Sequence, residues 1–177
     1  MTPLEFIRNT QLFLQDLNAN RERESIQIAR EAAALVRRRV QNDGIDSDGV
    51  SFGGYSEAVV PRWMLYDRSL SQGAEDTIRS GDWFQSYSDL KEANNMPLEK
   101  NFTFTGEMWR NVGPIGVDNG PNETSVYVGG QTERAADILK YQEPLSGNII
   151  AMNEEEIQFV TEAHAERVSE YLSKYFA

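Results

Sequence analysis

Apolar residues in the first part of the chain recur every three or four positions, which is the spacing of one face of an α-helix. Thr2-Pro3-Leu4-Glu5 predicts a helix start, with a hydroxyl at the N-cap, proline in the first turn and a glutamate that completes a capping box. A second periodic run spans residues 21–42, and Asn18-Ala19-Asn20 predicts a joint before it. We therefore predict a helical N-terminal part over residues 1–42, capped by Gly44. The apolar stripe of the first run comprises Leu4, Phe6, Ile7, Phe13, Leu14 and Leu17.

The middle of the chain, from about residue 59 to 96, is rich in aromatic residues but has no period of 2 or 3.6 over any length. This pattern predicts short helical or strand pieces in an irregular insertion, and long excursions of this kind are often binding loops. We therefore treat its large apolar side chains as candidates for contacts with another subunit or a partner protein. They are Trp63, Met64, Tyr66, Trp83, Phe84 and Tyr87.

Residues 98–177 predict a small antiparallel sheet followed by helices. Asn101–Thr105 alternates with the period of a strand, residues 107–112 suit a turn or a second strand, and residues 118–122 give a strong turn signal. Thr124–Val128 is predicted as the returning strand.

Two helices are predicted after the sheet. Thr132 is a suitable N-cap for a helix up to Gln142, which Pro144 is expected to end, and Asn153 caps the last helix with Glu156 at its third position. The sequence thus predicts an α+β fold in a single domain over residues 1–177, with long N-terminal helices, a small antiparallel sheet and a C-terminal helix. The apolar stripe of the last helix comprises Ile157, Val160, His164, Val168, Tyr171 and Tyr175.

Charge and composition narrow the classes of partner. The net charge of −11 argues against nonspecific binding to a phosphate backbone, which requires clustered Lys and Arg. No run approaches the roughly 18 apolar residues of a membrane helix, and the N-terminus lacks the layout of a signal peptide, so we expect synthesis in the cytoplasm and no membrane contact. The triplet Arg37, Arg38 and Arg39 is expected on a solvated face or against carboxylates of a neighbouring subunit, with DNA contact as the less favoured alternative.

Candidate chemistry is sparse in the sequence. The absence of cysteine removes thiolate catalysis, and the single histidine, His164, is expected to be packed or half-buried on its helix stripe. The acidic loop with Asp43, Asp46 and Asp48 fails the calcium-loop pattern, because Gly44 and Tyr55 would fall on required oxygen-ligand positions. The glycine pairs at 53–54 and 129–130 lack the features of phosphate-binding loops and are interpreted as turns. We expect no cofactor, no metal and no enzymatic activity.

The order of three sequence features resembles the virion morphogenesis or tail-completion proteins of tailed bacteriophages, a family of neck components. The first is Asp46-Ser-Asp-Gly-Val-Ser-Phe52 through Tyr55-Ser56 after a long helix, and the second is Phe102-Thr-Phe-Thr-Gly-Glu-Met-Trp-Arg110. The third is Val126-Tyr-Val-Gly-Gly130, which leads to Ala135-Ala136 and Tyr141-Gln142. The resemblance covers residues 26–56 and 98–173.

The chain departs from this family in two places. Family members commonly carry an Arg-Pro-Phe element before the last helix, where this chain has Gly147–Met152 and keeps only the apolar anchor. The stretch from about residue 59 to 96 is also longer than the family leads us to expect.

The resemblance implies a structural virion protein that forms a homo-oligomeric ring in the neck, between the head connector or adaptor and the tail or tail-terminator protein. DNA would pass through its channel without specific binding. Two alternatives stay open: a tail terminator or head-closure ring protein, and an enzyme that uses carboxylates or a divalent metal.

Overall fold

A computed structural model describes residues 1–55, 57–61, 65, 70–98, 100–102, 107–121 and 123–176. Within these residues the fold is α+β, as predicted, with α-helices around a two-stranded antiparallel sheet. The elements in chain order are α1 (Pro3–Arg38), a π-helical turn (Arg39–Asp43), α2 (Gln72–Arg79), α3 (Tyr87–Ala93), α4 (Glu107–Arg110), β1 (Val112–Asn119), β2 (Thr124–Gly130), α5 (Glu133–Ser146) and α6 (Glu154–Phe176).

The first helix is a single rod, and the predicted joint at residues 18–20 is wrong. The predicted capping box is confirmed, because the Thr2 hydroxyl accepts from the Glu5 backbone and the Glu5 carboxylate accepts from Thr2 N. Asn20 does not break the helix because its side-chain amide donates to the carbonyl and carboxylate of Asp16, one turn earlier. At about 1.5 Å per residue, the 36 residues of α1 extend for roughly 54 Å. Gly44 caps the following π-turn in the left-handed conformation, with φ of 64°.

The last helix lies antiparallel along α1. Near the start of α1, Phe6 and Phe13 pack against Phe176, and the Asn9 side chain donates to the backbone carbonyl of Tyr175. At the other end, Arg39 pairs with Glu156 in the first turn of α6. The predicted cap of α6 is confirmed, since Asn153 and Glu156 exchange backbone-to-side-chain hydrogen bonds.

The sheet differs from the prediction in its first strand. The predicted strand Thr124–Val128 is confirmed within β2, but its partner is Val112–Asn119, with Val112 opposite Gly130 and Asn119 opposite Thr124. Asn101 and Phe102 are not part of a strand, and residues 103–106 of that prediction lie outside the described residues. The Gly129-Gly130 pair is the end of β2 rather than a turn, where α5 approaches so closely that a Cβ on Gly130 would lie 2.3 Å from Ala136 N.

Helix α5 begins as predicted but ends later. The Thr132 hydroxyl caps it by accepting from Ala135 N, while Pro144 lies inside the helix, which continues to Ser146. Gly147 then breaks the helix with φ of 69°. The apolar anchor expected before the last helix is present, because Ile149 is buried in the main core.

Two hydrophobic clusters stabilise the described residues. The main cluster joins Val36 and Val40 of the N-terminal helix to Met108, Trp109 and Ile149. The second cluster lies entirely within the predicted insertion. Its buried members are Val60, Leu65, Ala74, Phe84 and Leu90. Residues 59–96 therefore contain a small core with two short helices, α2 and α3.

Candidate interaction surfaces

The aromatic residues predicted as an interface do not form an exposed surface where the structure describes them. Phe84 is only 2% exposed and belongs to the insertion core, so its assignment as an anchor for a partner is wrong. Trp83 packs beside it and donates from Nε1 to the Val60 carbonyl, and Tyr87 packs against Tyr55 with ring centres 4.8 Å apart and ring planes tilted by 50°. Trp63, Met64 and Tyr66 lie outside the described residues.

A buried lysine connects the insertion to the rest of the protein. The Lys91 ammonium, on α3, donates to Asn101 Oδ1 at 2.9 Å and to the Tyr55 hydroxyl at 3.1 Å. The same ammonium lies 4.6 Å from the centre of the Tyr55 ring, so a cation–π contact adds to the hydrogen bonds. Asn101 in turn accepts from Trp109 Nε1 through its carbonyl and donates to the Gln41 carbonyl. This polar cluster ties the small core to the main one.

The arginine triplet at the end of α1 is divided between the surface and the interior. Arg37 and Arg38 are exposed, as predicted. Arg39 is buried, and the prediction of a solvated or intersubunit role for it is wrong. Its Nε donates to Glu156 at 2.9 Å, and its Nη atoms donate to the carbonyls of Ile45 and Ala151. Arg39 lies on the same helical face as the buried residues Ala32 and Val36, seven and three positions earlier, whereas Arg37 and Arg38 lie on other faces.

The single histidine is exposed, which contradicts the expectation that it is packed or half-buried. His164 lines a groove of about 240 Å³ between α1 and α6, together with Tyr171 and Arg167. Arg167 forms an ion pair with Glu31 of α1. The guanidinium also donates a hydrogen bond to the Glu31 carboxylate, and this bond holds the pKa of the Glu31 carboxyl below its usual value. One atom of the Arg167 guanidinium, Nη1, is buried without a hydrogen-bond partner among the described residues.

The acidic loop with Asp43, Asp46 and Asp48 has a structural role. Asp46 Oδ1 accepts from the backbone N–H groups of Asp48 and Val50, at 2.9 and 2.8 Å, so this carboxylate holds its own turn. Among the described residues, no group of three or more His, Asp or Glu side chains is placed to hold a metal ion. In the same part of the chain no helix is long and apolar enough to cross a membrane.

A group of exposed large apolar residues lies at the start of α1, where the sequence predicts one apolar stripe. Phe6, Phe13 and Leu17 lie on the side of α6, whereas Leu4, Ile7 and Leu14 extend the apolar character around the helix. Leu4 is 78% exposed and Ile7 is 54% exposed. The signal that could have identified this surface is the presence of two interleaved apolar series in one helix, since packing against a single partner helix needs only one.

Comparisons with known proteins give no match: neither a family model, nor a curated protein, nor a solved structure is similar to this chain.

Proposed function

We propose that this protein is a structural subunit of the neck of a tailed bacteriophage and forms a ring with copies of itself between the head connector and the tail. The proposal starts from the resemblance of residues 26–56 and 98–173 to the virion morphogenesis or tail-completion proteins. It is supported by a surface of the described residues that is suited to assembly.

The observation that carries the proposal is the apolar end of α1. Leu4, Ile7 and Leu14 are all roughly half exposed or more within the first four turns of α1, and the exposed Met1 precedes them. Large exposed apolar side chains on a soluble monomer are usually scattered, whereas a contiguous group is typical of a protein–protein contact. An assembled neck would cover this end of the helix with an adjoining virion subunit.

The charge of the chain is compatible with a channel for DNA. The protein has 28 acidic residues against 17 basic ones, a net charge of −11, so its surface is negative on balance. A surface of this sign repels a phosphate backbone, so DNA could slide past it without being held. In this proposal the ring forms a passage for DNA and does not recognise its sequence.

The proposal is tested by incorporation into virions. In phage particles that lack the chain and are complemented with variants, Leu4→Glu with Ile7→Glu is expected to reduce the amount of the protein in purified particles at least tenfold, because two charges would be buried at the contact. Val50→Glu is the matched control, since Val50 is equally exposed but lies outside α1. Circular dichroism of each purified variant establishes that it is folded. Incorporation of the double variant at the level of the control, or absence of the wild-type chain from particles, contradicts the proposal.

A further inference from the structure

A cleft on α1 presents two exposed arginines. Arg30 and Arg37 are exposed and separated by two turns, with Ala33 and Ala34 between them. Together with the start of β1 they line a cleft of about 190 Å³. Neither guanidinium forms an ion pair or hydrogen bond with any of the described residues. The alanines leave space between the two charges, so the cleft has a small apolar floor with a positive charge at each end.

The outer face of α6 has the complementary pattern. Glu155, Phe159 and Glu162 are exposed, and at 3.6 residues per turn they fall within an arc of roughly 60°. Phe159 is 59% exposed despite its size. Within the described part of the chain, neither Glu155 nor Glu162 forms an ion pair. Glu166 lies on the same face of the helix, about one turn further along. This face is turned away from Val160 and Arg167, which lie towards α1.

The two patterns match in spacing. Arg30 and Arg37 are seven residues apart, as are Glu155 and Glu162, and seven helical residues rise about 10.5 Å on either helix. Phe159 falls between the glutamates, as Ala33 and Ala34 fall between the arginines. If the two helices cross at a small angle of about 20°, each glutamate carboxylate contacts an arginine guanidinium, and the Phe159 side chain packs on the two alanines.

We propose that the outer face of α6 in one copy of the protein docks into the α1 cleft of a second copy. We assign the cleft to a second copy because α6 of this protein carries two glutamates and Phe159 at the spacing that the two arginines of the cleft require. The cleft and the outer face of α6 are different surfaces of one chain, so the contact is heterologous. Contacts of this type generate rings when the rotation between copies closes. The inference rests on the proposed function and specifies which surfaces of the chain form the ring.

The experiment uses charge exchange and native mass spectrometry of the full chain. One variant carries Arg30→Glu with Arg37→Glu, and the other carries Glu155→Arg with Glu162→Arg. Each variant alone places like charges at the contact, and we expect its self-association to be at least about 100-fold weaker than that of the wild type. An equimolar mixture is expected to restore association between unlike copies, the mixed dimer first, because every contact between unlike copies pairs opposite charges.

Controls separate this contact from general effects of charge and folding. Arg38→Glu changes the charge of a neighbouring exposed arginine outside the cleft and is expected to assemble like the wild type. If circular dichroism shows that Glu155→Arg weakens the first turn of α6, Glu162→Arg with Phe159→Ser tests the same surface without changing that turn.

The outcomes distinguish this inference from the proposed function. Normal assembly of either charge variant alone, or a mixture that stays monomeric, overturns the inference but leaves a ring formed by other surfaces. A wild-type chain that stays monomeric at all concentrations also overturns the inference, whereas its place in the virion is decided independently by incorporation into particles.

Discussion

Glu156 joins two structural roles through its two carboxylate oxygens: Oε1 accepts from Arg39 Nε at 2.9 Å, and Oε2 accepts from Asn153 N at 2.9 Å. The same side chain therefore caps α6 and holds the end of α1, 117 positions earlier in the chain. Arg39 also donates to the carbonyls of Ile45 and Ala151, so the ion pair fixes the loops that precede α6 and follow α1.

Removal of one partner from this ion pair is expected to be strongly destabilising. Arg39→Ala leaves the Glu156 carboxylate buried and without its cation, and such losses cost about 3–5 kcal/mol of unfolding free energy. Urea unfolding followed by circular dichroism measures the change. Arg38→Ala is the control, because Arg38 is exposed and its loss is expected to cost less than about 0.5 kcal/mol. Arg39→Met with Glu156→Gln should recover part of the loss, since no charge then stays buried. Equal stability of the two alanine variants contradicts a structural role for the pair.

The contact between α1 and α6 is expected to depend on pH through Glu31. Hydrogen bonding from Arg167 lowers the pKa of Glu31 below its ordinary value of 4.5. A carboxyl group with a lowered pKa in the folded state stabilises the protein above that ordinary value, and the contribution is lost as the pH falls through the folded-state pKa. Glu31→Gln should therefore reduce stability at pH 7, and its difference from the wild type should shrink steadily below about pH 4.5.

Thermal unfolding at a series of pH values between 7 and 3 gives this measurement. Glu57→Gln serves as the control because Glu57 is exposed. If the difference in unfolding temperature between Glu31→Gln and the wild type stays constant over this pH range, the ionised pair contributes nothing to stability.

A methyl group at Gly130 is expected to disrupt the packing of α5 on the sheet. The new Cβ would lie 2.3 Å from Ala136 N and 2.6 Å from the Ala135 carbonyl carbon, and backbone atoms cannot move aside as a flexible side chain can. Gly130→Ala should lower the unfolding free energy by about 1–3 kcal/mol. Gly54→Ala is the matched control, since nothing lies within 4 Å of its Cβ position. Chemical denaturation that gives the same midpoint for both variants would contradict this packing.

Loss of the Lys91 ammonium is expected to loosen the insertion. Lys91→Met keeps most of the buried volume but removes the donors to Asn101 and Tyr55, which should cost about 1–3 kcal/mol. Hydrogen exchange measured by mass spectrometry should show faster exchange of the amides of α3 than in the wild type. Lys140→Met, at an exposed position of α5, is expected to leave those amides unchanged. Unaltered exchange in Lys91→Met would mean that the polar cluster does not hold the insertion in place.

Local signals predicted the starts of three helices and the glycine cap after α1 correctly. The capping boxes at Thr2 and Asn153, the N-cap at Thr132 and the left-handed Gly44 are all confirmed, because each depends on residues within three or four positions of one another. The joint at residues 18–20 was wrong for a similar local reason. Asparagine often ends a helix, but Asn20 bonds to the preceding turn and α6 supports α1 on both sides of that point.

The partners of individual side chains could not be predicted in the same way. Arg39 lies next to two exposed arginines, and only its position on the buried face of α1 and its distant partner Glu156 distinguish it from them. Phe84 lacks a periodic context, because the insertion core is assembled from short segments between residues 60 and 93 that have no common pattern. The strand that pairs with β2 was misplaced because residues 112–119 include two glycines and a proline, whereas residues 101–105 alternate more regularly.

The measurement that tests the proposed function most directly is a cryo-EM map of an intact tailed-phage particle that contains this chain. The proposal predicts several rotationally related copies of the α1–α6 pair between the head connector and the tail, around the DNA channel. Copies directly on the tail tube would instead identify a tail terminator. A complete neck built from other proteins, with no density for this chain, would contradict the proposal.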